Sequence, residues 1–415
     1  MKRFASYALF LLLTLYTVKA GVIPAWRTLN SDFPNYYLSS QMLLEGKAIA
    51  HLYDDRWFNQ KLQTTGLAEQ GKFSPFPLAT TFVMLPLASF PPLAAKRIWT
   101  VINLIALCAS IWLLQRITGW HWIWAALLIL LTGHALINNF RLGQLYMVVA
   151  SLVLLSHYLT SRGRSDVAGF LLGICAIIKY FPLVFIIGYG LAGNRKLVGY
   201  SILAMLGLTL VEISVFGSDL FRTYLVQVLL PHLHGDLSMQ TPYATAFQSW
   251  ESLLRNLFVF HPVENPVPVF DWPAGKWLVQ GMVYATVFST AIYLLWKARN
   301  LFPAQRMLVY LSIPAMACLA LLPASATYHF LLLTFPFALF LLLLQEWNSP
   351  KWLLALLILI YTGIGFAPFG FLQKMELQGL GILLLYPRLW LVSLLYGVCV
   401  WIVFQKLPEN QTVYA

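Results

Sequence analysis

Apolar runs of 17–25 residues recur along this 415-residue chain, and they are apolar on every side. No other feature restricts the fold as strongly. A helix on the surface of a soluble domain keeps a polar face, with apolar residues confined to one stripe. The runs at 122–138 and 351–368 have no such face. Within a bilayer only helices and closed barrels satisfy their own backbone groups, and no alternation of period two marks barrel strands. The expectation is an all-α, polytopic transmembrane helical bundle, one integral membrane domain over residues 1–415.

Charge placement refines that reading. The chain is 60% hydrophobic and 10% charged, with a net charge of +12. Its basic residues are scattered over short loops rather than drawn into a stripe with stacking aromatics, so no nucleic-acid partner is expected. Cys108, Cys175, Cys318 and Cys399 all fall inside apolar runs, without metal spacing, and read as small core residues. The N-terminus, MKRFASYALFLLLTLYTVKAG, imitates a signal peptide. Its run continues close to spanning length and more runs follow, so it is read as a retained first helix.

With Lys2 and Arg3 held in the cytoplasm, the first span covers about 7–23 and the loop 24–96 lies outside. Prolines 75, 77, 86, 91 and 92 break the stretch 75–92, which is expected to lie in the interface as a helix. Further spans are expected at about 97–115, 121–138, 144–160, 166–179, 181–193 and 197–215, followed by a second outer loop at 216–275. Five more, at about 277–296, 305–322, 328–346, 351–368 and 387–405, bring the total to about twelve, with the C-terminal tail inside. No internal repeat is evident.

The loop 22–97 gathers five of the fifteen carboxylates: Asp32, Glu45, Asp54, Asp55 and Glu69. Under this topology other costly polar residues converge on the same face. FRLGQLY brings Arg141 and Gln144, and IIKYFP brings Lys179. PHLHGD brings His232, His234 and Asp236; AFQSWESLLRNLF brings Gln248, Glu251 and Arg255; LLPASATYHF brings Tyr328 and His329. One carboxylate among cations at a membrane face suits transfer from a lipid-linked phosphate donor. A sugar hydroxyl needs a base as its new bond forms, and a departing phosphate needs cations. Asp32 could instead be a simple helix cap, since SDFP fits a helix start. His232, His234 and Asp236 resemble half of a metal site but lack a further ligand at helical spacing. Glu212 is the one acid well inside a span, a functional candidate by position alone.

At these residues the chain resembles a known family. SDFPNYYLSSQMLLEGKAIAHLYD, SPFPLATTFVMLPL, FRLGQLYMVVASLVLL, AGFLLGICAIIKYFP, FQSWESLLRNLF and ASATYHFLLLTFP are similar to successive blocks of glycosyltransferase family 87, in family order from about residue 31 to 345. The resemblance implies a GT-C-like fold and a polyprenyl-phosphate-sugar donor, with mannose as the sugar. It also implies a glycolipid or glycan acceptor, and an inverting, metal-independent transfer at the outer face of the cytoplasmic membrane. It assigns the general base to Asp32. Lys179, Arg141 and Arg255 are then expected at the donor phosphate, and His329, Gln144, Gln248, Tyr328 and His234 at the substrates, with no cofactor. The competing class is a transporter or lipid-carrier flippase, which calls for ionisable residues at mid-membrane and repeat symmetry.

Overall fold

The computed structural model describes residues 2–29, 32–46, 49–68, 70–235, 242–375 and 377–407, and among these no strand forms. The contacts of the chain gather into two units. The first comprises Met1–Ile186, Arg195–Pro242 and Thr327–Leu332; the second comprises Ile187–Asn194, Tyr243–Ala326 and Leu333–Ala415.

In the first unit α1 (Lys2–Thr17) runs through a π-turn at Val18–Val22 into α2 (Ile23–Arg27). Phe4–Arg27 is therefore one helical stretch, long and apolar enough to cross a membrane. α3 (Phe33–Leu44), α4 (Asp55–Thr64) and the short α5 (Ala79–Met84) follow. Asp54 starts α4 by accepting the N–H groups of Arg56 and Trp57 at 3.0 and 3.2 Å. Next come α6 (Pro92–Thr118), α7 (Trp122–Leu130), α8 (His134–Leu142), α9 (Tyr146–Ser161) and α10 (Ser165–Ile178). The chain leaves this unit within α11 (Leu183–Leu191) and returns for α12 (Arg195–Phe216), α13 (Ser218–Thr223) and α14 (Leu230–Leu233). α10 and α12 pack backbone to backbone. A Cβ at Gly169 or Gly173 would collide with the carbonyl oxygens of Leu197 and Ser201. Such small-residue contacts are how helices associate where burying apolar surface gains nothing.

The second unit holds α15 (Trp250–Phe258), α16 (Pro273–Ala298), α17 (Pro303–Leu321), α18 (Thr334–Glu346), α19 (Lys351–Phe366), α20 (Phe369–Gln373) and α21 (Pro387–Lys406). α17 and α18 pack on each other and are buried along most of their length. α16 leaves most of its apolar side chains exposed, as a lipid-facing helix does. Beneath α15 the carboxylate of Glu251 meets Lys276 at 2.5 Å and Arg255 at 2.6 Å.

All twelve expected spans fall on helix, but their lengths do not support the count. Among the described residues, seven helices are long and apolar enough to cross a membrane, or eight if one bent pair is a single span. That pair is α7 and α8, the expected span 121–138, which bends by 73°. The break lies at Gly133, whose φ of +52° and ψ of −113° suit glycine alone. Thr132 satisfies its own hydroxyl on the Ile129 carbonyl at 2.6 Å. α9, α10 and α19 are shorter apolar helices. The stretch 75–92, expected from sequence to lie in the interface as a helix, does not form one continuous helix. It gives the six-residue α5 and a 3-10 turn at Leu85–Leu87, with Thr80, Thr81 and Met84 buried. The second loop does carry helices, α13 to α15 among them. Glu69, Asp236 and the tail beyond Leu407 lie outside the described residues.

Candidate active site

Asp32 stands at the N-cap position of α3, yet its side chain makes no capping hydrogen bond. Its Oδ2 instead accepts from Gln144 Nε2 at 2.7 Å, across 112 residues of sequence. Among the described residues, no hydrogen bond engages Oδ1. The carboxylate is turned away from its own helix toward the end of α8, which argues against Asp32 as a simple helix cap.

Gln144 reaches Asp32 because of the glycine before it. Gly143 ends α8 in the left-handed region, φ +72°, and a Cβ there would lie 2.8 Å from Cβ of Phe33. Only glycine lets the end of α8 press on the start of α3. Trp99 Nε1 donates to the carbonyls of Gly143 and Gln144 at 3.1 and 3.3 Å. Lys96, buried in α6, donates to the carbonyls of Arg141 and Thr28 at 3.0 and 2.6 Å. A lysine at a helix C-terminus complements both the orphan carbonyls and the dipole. It also sets a positive charge near Asp32.

From Gln144 the hydrogen bonds run on to a second cation. Tyr36 Oη donates to Gln144 Oε1 at 2.9 Å and accepts from Lys179 Nζ at 3.4 Å. Lys179 follows the end of α10, where the backbone turns extended. Its ammonium lies 4.5 Å from the ring centre of Phe76, 5.2 Å from Tyr146 and 5.5 Å from Tyr36. Aromatic faces attract a cation once water is stripped from it. Every donor and acceptor in the series Lys179, Tyr36, Gln144, Asp32 is thus oriented one way, from the cation to the carboxylate. Burial pushes the Asp32 carboxyl above the usual aspartate value, while the Gln144 hydrogen bond and then Lys179 and Lys96 oppose that rise.

Tyr146 extends the site. Its ring stacks on Tyr328 at 5.2 Å and lies 4.8 Å from His329, and those two rings lie 5.0 Å apart. Next to Lys179, Tyr180 Oη is 3.2 Å from Nε2 of His232. Burial, with Lys179 nearby, pushes His232 down to about 4, so it is neutral at ordinary pH. His234 differs: it is exposed, and because a carbonyl can only accept, its Nδ1 donates to Leu230 at 2.7 Å. The two histidines are thus oriented differently, and the inward one is His232.

The structure brings Asp32, Gln144, Lys179, Tyr328 and His329 together in the first unit. Arg141 sits at the end of α8 with an exposed side chain. Arg255 and Gln248 belong to the second unit. There Arg255 pairs with Glu251. Gln248 donates to Thr245 and Leu385 carbonyls at 2.8 Å each and accepts from the N–H of Arg388 at 3.1 Å, so it brackets the backbone of its own unit. Sequence reading passed over Tyr36, Phe76, Tyr146 and Lys96. The first three look like ordinary membrane aromatics. Lys96 did carry a signal, since it lies a full turn inside the apolar helix that Pro92 begins.

The family model of glycosyltransferase family 87 matches residues 75–323. That range contains Lys96, Arg141, Gln144, Lys179, Gln248 and Arg255, while Asp32, Tyr328 and His329 fall outside it. No curated protein matches the chain.

Proposed function

Since this chain belongs to glycosyltransferase family 87 and carries several membrane-length apolar helices, we propose that it is a polyprenyl-phosphate-sugar-dependent transferase with Asp32 as its base. That it is a membrane glycosyltransferase follows from the family. The sugar is read as mannose, the acceptor as a glycolipid or glycan, and the site as facing outward from the cytoplasmic membrane. The observation that carries the mechanism is the one-way series of hydrogen bonds from Lys179 through Tyr36 and Gln144 to Asp32.

In this reading the acceptor hydroxyl approaches Asp32 Oδ1, the oxygen that Gln144 leaves open. Its oxygen attacks the anomeric carbon of the donor as its proton passes to Asp32. The bond from that carbon to the phosphate oxygen breaks, and the polyprenyl phosphate departs with the electron pair. Attack opposite the leaving group inverts the anomeric centre. Lys179 meets the charge growing on the phosphate, in surroundings dry enough to strengthen that interaction. Arg141, at the edge of the site, supplies further positive charge. Tyr146, Tyr328 and His329 offer flat faces for a sugar ring, and Tyr180 with neutral His232 offers a hydroxyl and an imidazole for its hydroxyls. Arg255 and Gln248 are engaged within their own unit and play a smaller part here than their sequence positions imply.

The test is direct. Purified protein given polyprenyl-phosphate-mannose and crude membrane glycolipid should release polyprenyl phosphate, undiminished by a chelator. Asp32→Asn should lower that release by roughly 10²–10⁴-fold, the usual contribution of a positioned base, with the protein still folded. Full turnover by the variant would reject Asp32 as the base, and inhibition by a chelator would require a metal.

A further inference from the structure

Glu212 is buried in the apolar helix α12, 2% exposed, and the transfer described above makes no use of it. Its Oε1 accepts the N–H of Ala79, the first residue of α5, at 2.6 Å. Three residues earlier, the carbonyl of Phe76 accepts from the Tyr53 hydroxyl at 2.8 Å. The four residues from Phe76 to Ala79 are therefore pinned at both ends, with Pro77 fixing one backbone torsion between the pins. Further contacts hold α5 where it is. Phe82 packs on Phe216 of α12 at 5.4 Å, and Ser40 of α3 donates to the Thr81 carbonyl at 2.6 Å. The ring carried by this strap lies 4.4 Å from that of Tyr36, and of the three rings around the Lys179 ammonium it is the nearest, at 4.5 Å.

We propose that Glu212 is a positioning residue for donor binding: by holding Ala79 it sets Phe76 against Lys179, and so fixes where the ammonium meets the phosphate. This rests on the reading of Lys179 as the phosphate ligand. A plainer role is available, because an N–H at the start of a helix needs an acceptor wherever water is scarce. The two roles separate in kinetics. An acceptor alone supports the fold, whereas a positioning residue also governs the apparent affinity for the donor.

The experiment measures KM for polyprenyl-phosphate-mannose, KM for acceptor glycolipid, kcat and thermal unfolding on purified variants. Glu212→Gln keeps an acceptor oxygen and should stay near the parent. Glu212→Leu should raise donor KM about tenfold, the scale of one buried hydrogen bond, and leave acceptor KM in place. Phe76→Leu should do the same, and the double variant should be no worse than either alone. Tyr53→Phe, which keeps its ring against Tyr224 and loses only a hydroxyl, should raise donor KM by about threefold; it decides between the two roles if Glu212→Leu fails to fold. The proposal is overturned if Glu212→Leu loses stability at an unchanged donor KM, if the two effects multiply, or if Tyr53→Phe binds donor as the parent does. Lys179→Ala supplies the control. Should it leave donor KM unchanged, the phosphate role of Lys179 fails and takes this proposal with it; should it raise donor KM where Glu212→Leu does not, only the role of Glu212 falls.

Discussion

Asp32 is held between opposing influences, and that balance makes its chemistry measurable. Burial lifts its carboxyl above the 3.8 of an ordinary aspartate, and Gln144, Lys179 and Lys96 draw it back. In its proposed role as base Asp32 works only when unprotonated, so kcat/KM should fall as pH drops through the value Asp32 holds. The acid limb should therefore lie above 3.8. Gln144→Leu removes a hydrogen bond made to the charged form, which raises the carboxyl further. The limb should then move to higher pH, with slower turnover at neutral pH because less base is available. A pH profile of polyprenyl phosphate release decides it, and a limb that stays put would separate Gln144 from Asp32. Asp32, Gln144, Lys179, Tyr328 and His329 were legible in the sequence because polar groups are scarce in such a chain and each costs free energy to place. Tyr36 and Phe76 were not. An aromatic ring is the common residue of a membrane protein, and only the fold reveals which rings surround a cation.

At the scale of elements, one glycine and one buried carboxylate hold their surroundings in place. Gly143→Ala forces a side chain into a left-handed turn and onto Phe33. It should cost roughly 1–3 kcal/mol of stability and displace Gln144, so thermal unfolding in detergent and sugar transfer should fall together. Loss of activity at unchanged stability would assign Gly143 a part beyond the packing described. In the second unit Glu251 is fully buried and Lys276 nearly so. Glu251→Leu takes away the carboxylate both cations hold, and should destabilise the protein by about 3–5 kcal/mol. Denaturation that matches the parent would show this pair to be incidental. The sequence sets Glu251 and Arg255 four residues apart, a spacing that pairs them once α15 forms. It held no sign of Lys276, which comes from the following helix. The helices themselves were legible from hydropathy, but their breaks were not. Gly133 turns α7 into α8 by a backbone conformation that apolar periodicity does not register.

For the whole molecule, hydropathy has a definite blind spot. α17 and α18 are about as apolar as α16, yet they are largely buried while α16 leaves most of its apolar side chains exposed. A helix enclosed by other helices and one enclosed by lipid have the same composition. Length and bending are a separate matter: among the described residues, about twelve expected segments reduce to seven or eight helices of spanning length because α9, α10, α11 and α19 are short and α7 bends away from α8. Sidedness can be measured separately. Lys61 and Arg164 are both exposed, and the orientation expected from the charge distribution has the first outside and the second inside. Single cysteines at these positions should react with an impermeant maleimide from outside at Lys61→Cys, and at Arg164→Cys only after the membrane is opened. Cys175 and Cys399 are buried and should stay silent, with Cys108 replaced beforehand because it is exposed. Reaction of both sites from outside would reverse the orientation.

The amide of Gln144 has one consequence of its own. It takes a proton bridge from a phenol with one atom and offers one to an acid with the other, on a single planar group. A glutamate has the same length and outline but no hydrogen to offer unless it is itself protonated. Exchanging the two would set acid against acid, so that they share one proton and Asp32 could not serve dependably as the proposed base. What looks like the mildest replacement available at position 144 would silence the centre while leaving its shape intact.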